Sequence, residues 1–175
     1  MNDTTWDSAF CELFERCAKL HRAGDSRGEK WFADADKAFL ASIGYTTQEF
    51  FDFVDDHCRY GDEGPTLETA LLVAAVRRDY FNVILKRQWS GKTVPPSALP
   101  PKPAAVDGIP WLPRLIVKAR AKLAGEMDPD TMYGCGGDRA FFREHRIHPA
   151  DFLRVTWAAD GDDRKIIDWV KSRAV

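Results

Sequence analysis

The sequence has little net charge, few cysteines and no long apolar run. Its 25 Lys and Arg residues nearly balance 27 Asp and Glu residues, so the formal net charge is −2. No global field therefore draws the chain to nucleic acid or anionic lipid, and neither partner is expected. The four cysteines, at positions 11, 17, 58 and 135, are too scattered to indicate a disulfide framework.

Signals for a membrane or for export are also missing. The longest strongly apolar run, Ala70–Val76, is too short to cross a bilayer, and two arginines follow it. The first ten residues contain no basic region followed by an apolar stretch, so no secretory signal is visible. We therefore expect a cytoplasmic protein in a reducing compartment.

The apolar residues that are present follow helical spacing along most of the chain. Hydrophobic residues make up 45% and aromatic residues 12%, which is enough for a large core. Apolar steps of three and four predict a succession of helices, including one around residues 31–43 and a long one from about 66 to 86. No stretch alternates with period two, so strands are not expected. The prediction is an all-α fold with seven or eight helices.

Several polar residues mark where these helices begin. Thr46 and Glu49 have the spacing of a capping box. Asp36 and Asp138 each precede an Ala-Phe pair, and a carboxylate there can accept backbone N–H groups and favour the helix dipole. Pro149 suits a first helical turn. We interpret these acids as helix caps and not as catalytic acids.

Residues 88–108 have a different character, because they contain five prolines. Such a segment is incompatible with a helix interior and predicts an extended connector. A docking peptide for an aromatic groove is the alternative. The connector divides the chain into an N-terminal helical unit, 1–87, and a C-terminal unit, 109–175, packed together as one compact domain.

The two units contain segments of similar sequence. DKAFLASIGYTTQEFFDF (Asp36–Phe53) and DRAFFREHRIHPADFLRV (Asp138–Val155) align without a gap at an offset of 102 residues, with four identities in eighteen positions. The hypothesis is an internal duplication in which two related helical units bury their apolar faces together. The alternative is that any two amphipathic helices look alike.

The C-terminal unit also carries a family pattern, at Leu112-Pro113-Arg114, Lys118–Ala121, Leu123–Gly125, Tyr133, Cys135, Asp138 and Phe152. Over residues 108–170 it resembles an uncharacterised bacterial family catalogued as domain of unknown function 5069. The resemblance implies a small bacterial cytoplasmic protein and brings no established activity. The sequence departs from the family at Gly136-Gly137, where Pro-Leu is usual, and at Val117, where an acid is common.

A basic stripe and a glycine-rich loop form the first candidate site. Residues 111–124 contain no acid, and the glycines of YGCGGD free backbone N–H groups at a helix start. If stripe and loop converge, an arginine such as Arg139 or Arg143 could hold an anion bidentately. The candidate anion-binding residues are Arg114, Lys118, Arg120, Gly136, Gly137 and Arg139. The alternative is a solvated basic face.

Cys135 is the second candidate, as a nucleophile with His145 as its base. A helix start and nearby basic groups favour a thiolate, although no thiol-enzyme signature is present. Cys135, His145 and His148 match no recurrent zinc spacing, so neither a metal nor another cofactor is expected.

The function predicted first is a non-enzymatic binding domain for an anionic small molecule or a protein partner. The alternative is a small enzyme that uses Cys135 and His145. A purely structural dimerisation module is the third hypothesis, because the same apolar faces could pair between two chains.

Overall fold

Eight α-helices account for most of residues 5–173, the part of the chain that the computed structural model describes. The all-α prediction is therefore confirmed. The helices are α1 (Trp6–Arg22), α2 (Asp34–Ser42), α3 (Thr47–Tyr60), α4 (Leu67–Val83), α5 (Leu112–Ala124), α6 (Gly136–Glu144), α7 (Pro149–Ala158) and α8 (Asp163–Lys171).

One short hairpin departs from the expectation that strands are absent. β1 (Ala105–Val106) pairs antiparallel with β2 (Ile109–Pro110) through a turn at Asp107 and Gly108, whose φ angles are 49° and 79°. Two consecutive residues with positive φ match the twist of a two-residue hairpin, and Asp-Gly is a sequence that adopts them. The dipeptide was therefore a usable hairpin signal.

The helix starts follow the caps that the sequence indicates. The Thr46 side chain accepts the N–H of Glu49, and the Glu49 carboxylate accepts the N–H of Thr46, at 3.1 and 3.0 Å. Asp36 accepts the N–H of Ala33, at 2.8 Å, before α2. These bonds satisfy backbone donors that have no partner inside the helix. The predicted second helix, however, starts only at residue 34, so Trp31 is a buried loop residue.

Helix α4 lies between the two halves of the chain. α1 packs on α3, α5 packs on α7, and α4 contacts α1, α5 and α7. α8 completes the second group by packing on α5 and α7. Buried side chains from both halves form one continuous core. Because α4 contributes to both groups, each group depends on it to cover its apolar face.

The proline-rich segment is mostly exposed but is anchored to the helices at several points. Val94 N donates to Glu126 O at 2.8 Å, and Arg114 donates to Pro100 O at 2.9 Å. Leu99 is buried. α4 ends at Val83 and does not reach the predicted boundary near 86, since Lys86 and Arg87 adopt positive φ.

The helix bounds repeat at the offset seen in the sequence. Adding 102 to the bounds of α2 gives 136 and 144, which are the bounds of α6, and the starts of α3 and α7 differ by the same 102 residues. The duplication itself stays a prediction, and this correspondence is the structural observation in its favour.

A buried ion pair joins α3 to α5. Glu49 Oε1 lies 2.8 Å from Lys122 Nζ, and the Lys122 side chain is 2% exposed. Burial disfavours the charged form of Glu49, yet the adjacent Lys122 ammonium holds the pKa of this carboxyl below its ordinary value. Lys122 Nζ also lies 4.0 Å from the centre of the Tyr45 ring. The pair therefore joins the two halves at a point that is largely shielded from water, since the Glu49 side chain is 11% exposed.

The first prediction concerns this pair. Glu49→Gln keeps the cap to Thr46 but leaves the Lys122 charge buried without its acid, so we expect a loss of about 3–5 kcal/mol of unfolding free energy at pH 7. Because the Glu49 pKa is depressed by folding, its contribution is present above the unfolded-state pKa and is lost as pH falls through the folded-state pKa. The mutant should lack that acid-dependent component.

Urea denaturation between pH 3 and pH 7 measures both effects. Asp151→Asn is the matched control, because Asp151 occupies the position 102 residues later and pairs with Arg154 on the surface. An exposed pair contributes little, so this control should remain close to wild type. Equal losses in the two mutants would contradict the assignment.

Candidate functional site

The loop before α6 is organised around the buried carboxylate of Asp138. Asp138 Oδ1 accepts the indole N–H of Trp111 at 2.9 Å, and Oδ2 accepts the N–H of Gly134 at 2.8 Å. Lys118, itself 2% exposed, forms an ion pair with Oδ2. Both oxygens therefore have partners, and the predicted cap also anchors α5 to α6.

Cys135 and His145 lie at opposite ends of α6. Cys135 precedes the first residue of the helix and His145 follows the last one. A helix of nine residues is about 13 Å long, so the fold does not bring the two predicted catalytic side chains together. The His145 ring instead packs on Phe141, with ring centres 4.3 Å apart. The Cys135 sulfur accepts a hydrogen bond from Lys118 Nζ, at 3.3 Å.

The two glycines at the start of α6 have different surroundings. A Cβ on Gly137 would lie 2.4 Å from the Trp111 ring, whereas a Cβ on Gly136 would have no neighbour closer than 3.9 Å. Trp111 itself has a positive φ of 67° and lies directly before α5. Gly137 therefore allows the indole to approach the helix and reach Asp138, while Gly136 has no comparable packing role.

The basic stripe of α5 is engaged within the protein. Arg114 donates to Pro100 O, and its guanidinium lies over the Trp111 ring. Arg120 donates to Gly161 O at 2.9 Å and forms an ion pair with Asp163. Lys118 and Lys122 have the buried acids described above as partners. The structure thus brings Lys118 to the loop but directs Arg114 and Arg120 elsewhere.

Arg139 points instead into a cleft of about 450 Å³ between the α3–α4 connection and the α6–α7 connection. It forms an ion pair with Asp56, donates to Gly134 O at 3.0 Å and lies over the Tyr60 ring. We call this opening the arginine cleft; its lining is Phe53, Asp62, Glu63, Gly64, Pro65, Thr69, Gly134, Arg139, Phe142, Arg143, Arg146, Ile147, His148 and Pro149.

Two further cations border the arginine cleft. Arg143 and Arg146 are exposed, and among residues 5–173 neither guanidinium has a hydrogen bond or an ion pair. His148 has its Nδ1 occupied by the N–H of Ala150, at 3.2 Å. Sequence reasoning missed Arg146, which lies beyond the end of α6 with a positive φ of 53°, so helical spacing gives no signal for its position.

A second opening of about 610 Å³ lies between α4, α5 and α7, and Tyr80, Trp157 and Arg120 are among the residues that line it.

Residues 5–173 contain no group of three or more His, Cys, Asp or Glu side chains arranged to hold a metal ion. Within the same range, every helix is too short or too polar to traverse a bilayer.

The C-terminal part of the chain carries a family match. Residues 100–175 match the model of a family described as domain of unknown function (DUF5069), which confirms the resemblance seen over residues 108–170. The matched segment includes Lys118, Cys135, Asp138 and the arginines of α6. Comparison with curated proteins gives no match, and comparison with solved structures gives none either.

The second prediction uses the two neighbouring glycines. Gly137→Ala should displace the Trp111 ring and weaken its bond to Asp138, at a cost of about 1–3 kcal/mol. Gly136→Ala is the matched control and should be neutral or slightly stabilising, because alanine favours helix more than glycine does. Thermal unfolding followed by tryptophan fluorescence measures both. Equal stabilities would show that Trp111 does not depend on this close approach.

Proposed function

We propose that the protein is a binding domain for a small amphiphilic anion, held in the arginine cleft. The observation that carries the proposal is that two guanidinium groups without an ion pair or hydrogen bond, those of Arg143 and Arg146, lie at an opening with an apolar interior. The ligand class is a carboxylate or phosphate attached to a short hydrocarbon body. As part of this proposal, the protein is bacterial and cytoplasmic, and its two helical units arose by duplication.

The interior of the arginine cleft suits the apolar part of such a ligand. Phe53, Pro65, Phe142 and Ile147 all line the opening and are themselves buried. Burial of hydrocarbon against them contributes roughly 25 cal/mol for each Å² removed from water. A volume near 450 Å³ lies in the range of small-molecule sites and fits a ligand of moderate size.

The charges around the opening suit a single anionic group. Arg143 and Arg146 offer planar forks that match a carboxylate or a phosphate with two hydrogen bonds each. Arg139 is already paired with Asp56, and it serves mainly to position this end of α6. Asp62 and Glu63 also line the opening, so an extended polyanion such as nucleic acid would meet repulsion there.

The third prediction tests the arginine cleft with hexyl phosphate, which combines both features. At ten times its Kd, a ligand adds about 1.4 kcal/mol to the stability, which raises the unfolding midpoint by about 3–6 °C in a chain of this size. Hexanol lacks the charge, and we expect it to give a smaller shift. The double mutant Arg143→Gln/Arg146→Gln should lose the hexyl phosphate shift.

Arg154→Gln is the control for a change in surface charge. Arg154 is half exposed on α7, pairs with Asp151 and does not line the opening. This mutant should respond to hexyl phosphate as the wild type does. An unchanged shift in the double mutant, or no shift in the wild type, would refute the proposed site.

The second candidate function is a thiol enzyme, and the contact between Lys118 and Cys135 favours it. An ammonium group 3.3 Å from the sulfur stabilises a thiolate, and the helix start adds to this effect. In this second candidate function Lys118 stabilises the thiolate by its charge, whereas the sequence analysis gave His145 the role of a base. Asp138 competes for the same ammonium, so the thiol and the carboxylate share it.

The fourth prediction concerns the order in which the cysteines react. Burial raises the pKa of the other three thiols, that of Cys17 to about 12. Iodoacetamide at pH 7 followed by peptide mass spectrometry should therefore modify Cys135 first. The other cysteines act as internal controls in the same sample. If Cys11 reacts as fast as Cys135, the nucleophile function is excluded.

A further inference from the structure

Arg77 on α4 is a buried cation without a hydrogen-bond partner. The residue is 0% exposed, and its three side-chain nitrogens have no acceptor among the described residues. Arginine carries five N–H donors and remains protonated in proteins, although burial lowers the pKa of this one. A guanidinium in this state forfeits its hydration without replacement, which is strongly unfavourable.

The surrounding core does not neutralise Arg77. Glu49 is near enough to favour its charge, but both carboxylate oxygens of Glu49 are already engaged by Lys122 and Thr46. One carboxylate thus faces two buried cations. The hydroxyl of Tyr45 is also buried without a partner, and it interacts electrostatically with Arg77. Two kinds of unsatisfied donor therefore occur in the same part of the core.

Aromatic rings cover the guanidinium. The central carbon of the Arg77 guanidinium lies 5.3 Å from the centre of the Phe81 ring and 5.4 Å from that of Trp89. A Cβ on Gly125 would come within 2.2 Å of Arg77 Nη2, so only glycine leaves room for the group there. Cation–π contacts offset part of the cost of burial, but they provide no hydrogen-bond acceptor.

Trp89 differs from Phe81 in its exposure. Phe81 is buried in α4, whereas Trp89 is 40% exposed and belongs to the exposed stretch 86–93. Lys86 and Arg87 before it both have positive φ, a conformation that costs energy in residues other than glycine. This stretch is the cover of the guanidinium that can be displaced without unpacking a helix.

We propose that Arg77 is a binding site for a small oxyanion, gated by Trp89. Displacement of the indole uncovers the planar fork of Arg77, which then binds a carboxylate or phosphate group through two hydrogen bonds. The anion supplies the negative charge and the acceptors that the core lacks. This site is separate from the arginine cleft, because neither Arg77 nor Trp89 lines that opening.

Inorganic phosphate is the probe for the fifth prediction, with sodium chloride at equal ionic strength as the control for screening. Phosphate should raise the unfolding midpoint of the wild type and change its tryptophan fluorescence. Arg77→Met, which removes every donor while keeping similar bulk, should lose the fluorescence change and most of the shift in midpoint, because the arginine cleft binds phosphate weakly without a hydrocarbon body. Arg77→Lys keeps the charge without the fork and should bind phosphate at least tenfold more weakly; it replaces Arg77→Met if that mutant does not fold.

Two further mutants locate the bound phosphate. Arg143→Gln/Arg146→Gln should retain most of the phosphate response, since Arg77 is intact. Trp89→Phe should retain the shift in midpoint and lose the fluorescence change. The proposal is overturned if the wild type gives no response beyond that of chloride, if Arg77→Met responds as the wild type does, or if the response disappears only in the arginine-cleft mutant.

Discussion

The position of α6 depends on the Asp138 carboxylate. Three donors from separate places in the chain converge on it, namely the Lys118 ammonium, the Trp111 indole and the Gly134 backbone. The position of the α6 side chains in the arginine cleft therefore depends on this acid, which is fully buried. A buried charge is tolerated only when it is paired and hydrogen-bonded, and this one meets both conditions.

An equivalent ion pair occurs 102 residues earlier. Arg16 pairs with Asp36 across α1 and α2 at 2.7 Å, and these positions correspond to Lys118 and Asp138. Arg16 also donates to the carbonyl of Trp31, a buried residue whose counterpart, Tyr133, is buried as well. The Arg16–Asp36 pair is partly exposed, whereas the Lys118–Asp138 pair is buried. Shared geometry with different burial is what a duplication followed by divergence would produce.

Local features were predictable from the sequence because they depend on neighbours in the chain. Thr46 with Glu49, and the acids in the first turns of α2 and α6, satisfy backbone donors within three or four residues, so spacing alone indicates them. The helical fold followed from apolar spacing for the same reason. The contact between Glu49 and Lys122 joins residues 73 positions apart. No periodicity carries that information, so the sequence predicts an anion-binding stripe on α5 where the structure has cations with partners inside the protein.

Arg77 shows a related limit of sequence reasoning. It ends an apolar run and precedes a second arginine, which is the pattern of a helix turning toward solvent. The proline-rich segment, which the sequence predicts as a plain connector, returns over the end of α4 and covers the side chain with Trp89. Burial of Arg77 therefore depends on where the proline-rich segment runs. Its composition predicts that the segment is stiff but does not predict which helix it packs on.

The same path explains how Trp89 could move without disturbing the core. Val94 bonds to Glu126, Leu99 is buried, and Pro100 O accepts a hydrogen bond from Arg114 on α5, so the segment is fixed from residue 94 onward. Prolines at positions 95 and 96 restrict the backbone just beyond that anchor. Displacement of residues 86–93 is thus confined between the end of α4 and a stiff, packed anchor. Uncovering Arg77 costs the contacts of the indole and strains the hydrogen bonds from Arg87 N to Phe81 O and from Gln88 N to Leu85 O, at 2.8 and 2.9 Å.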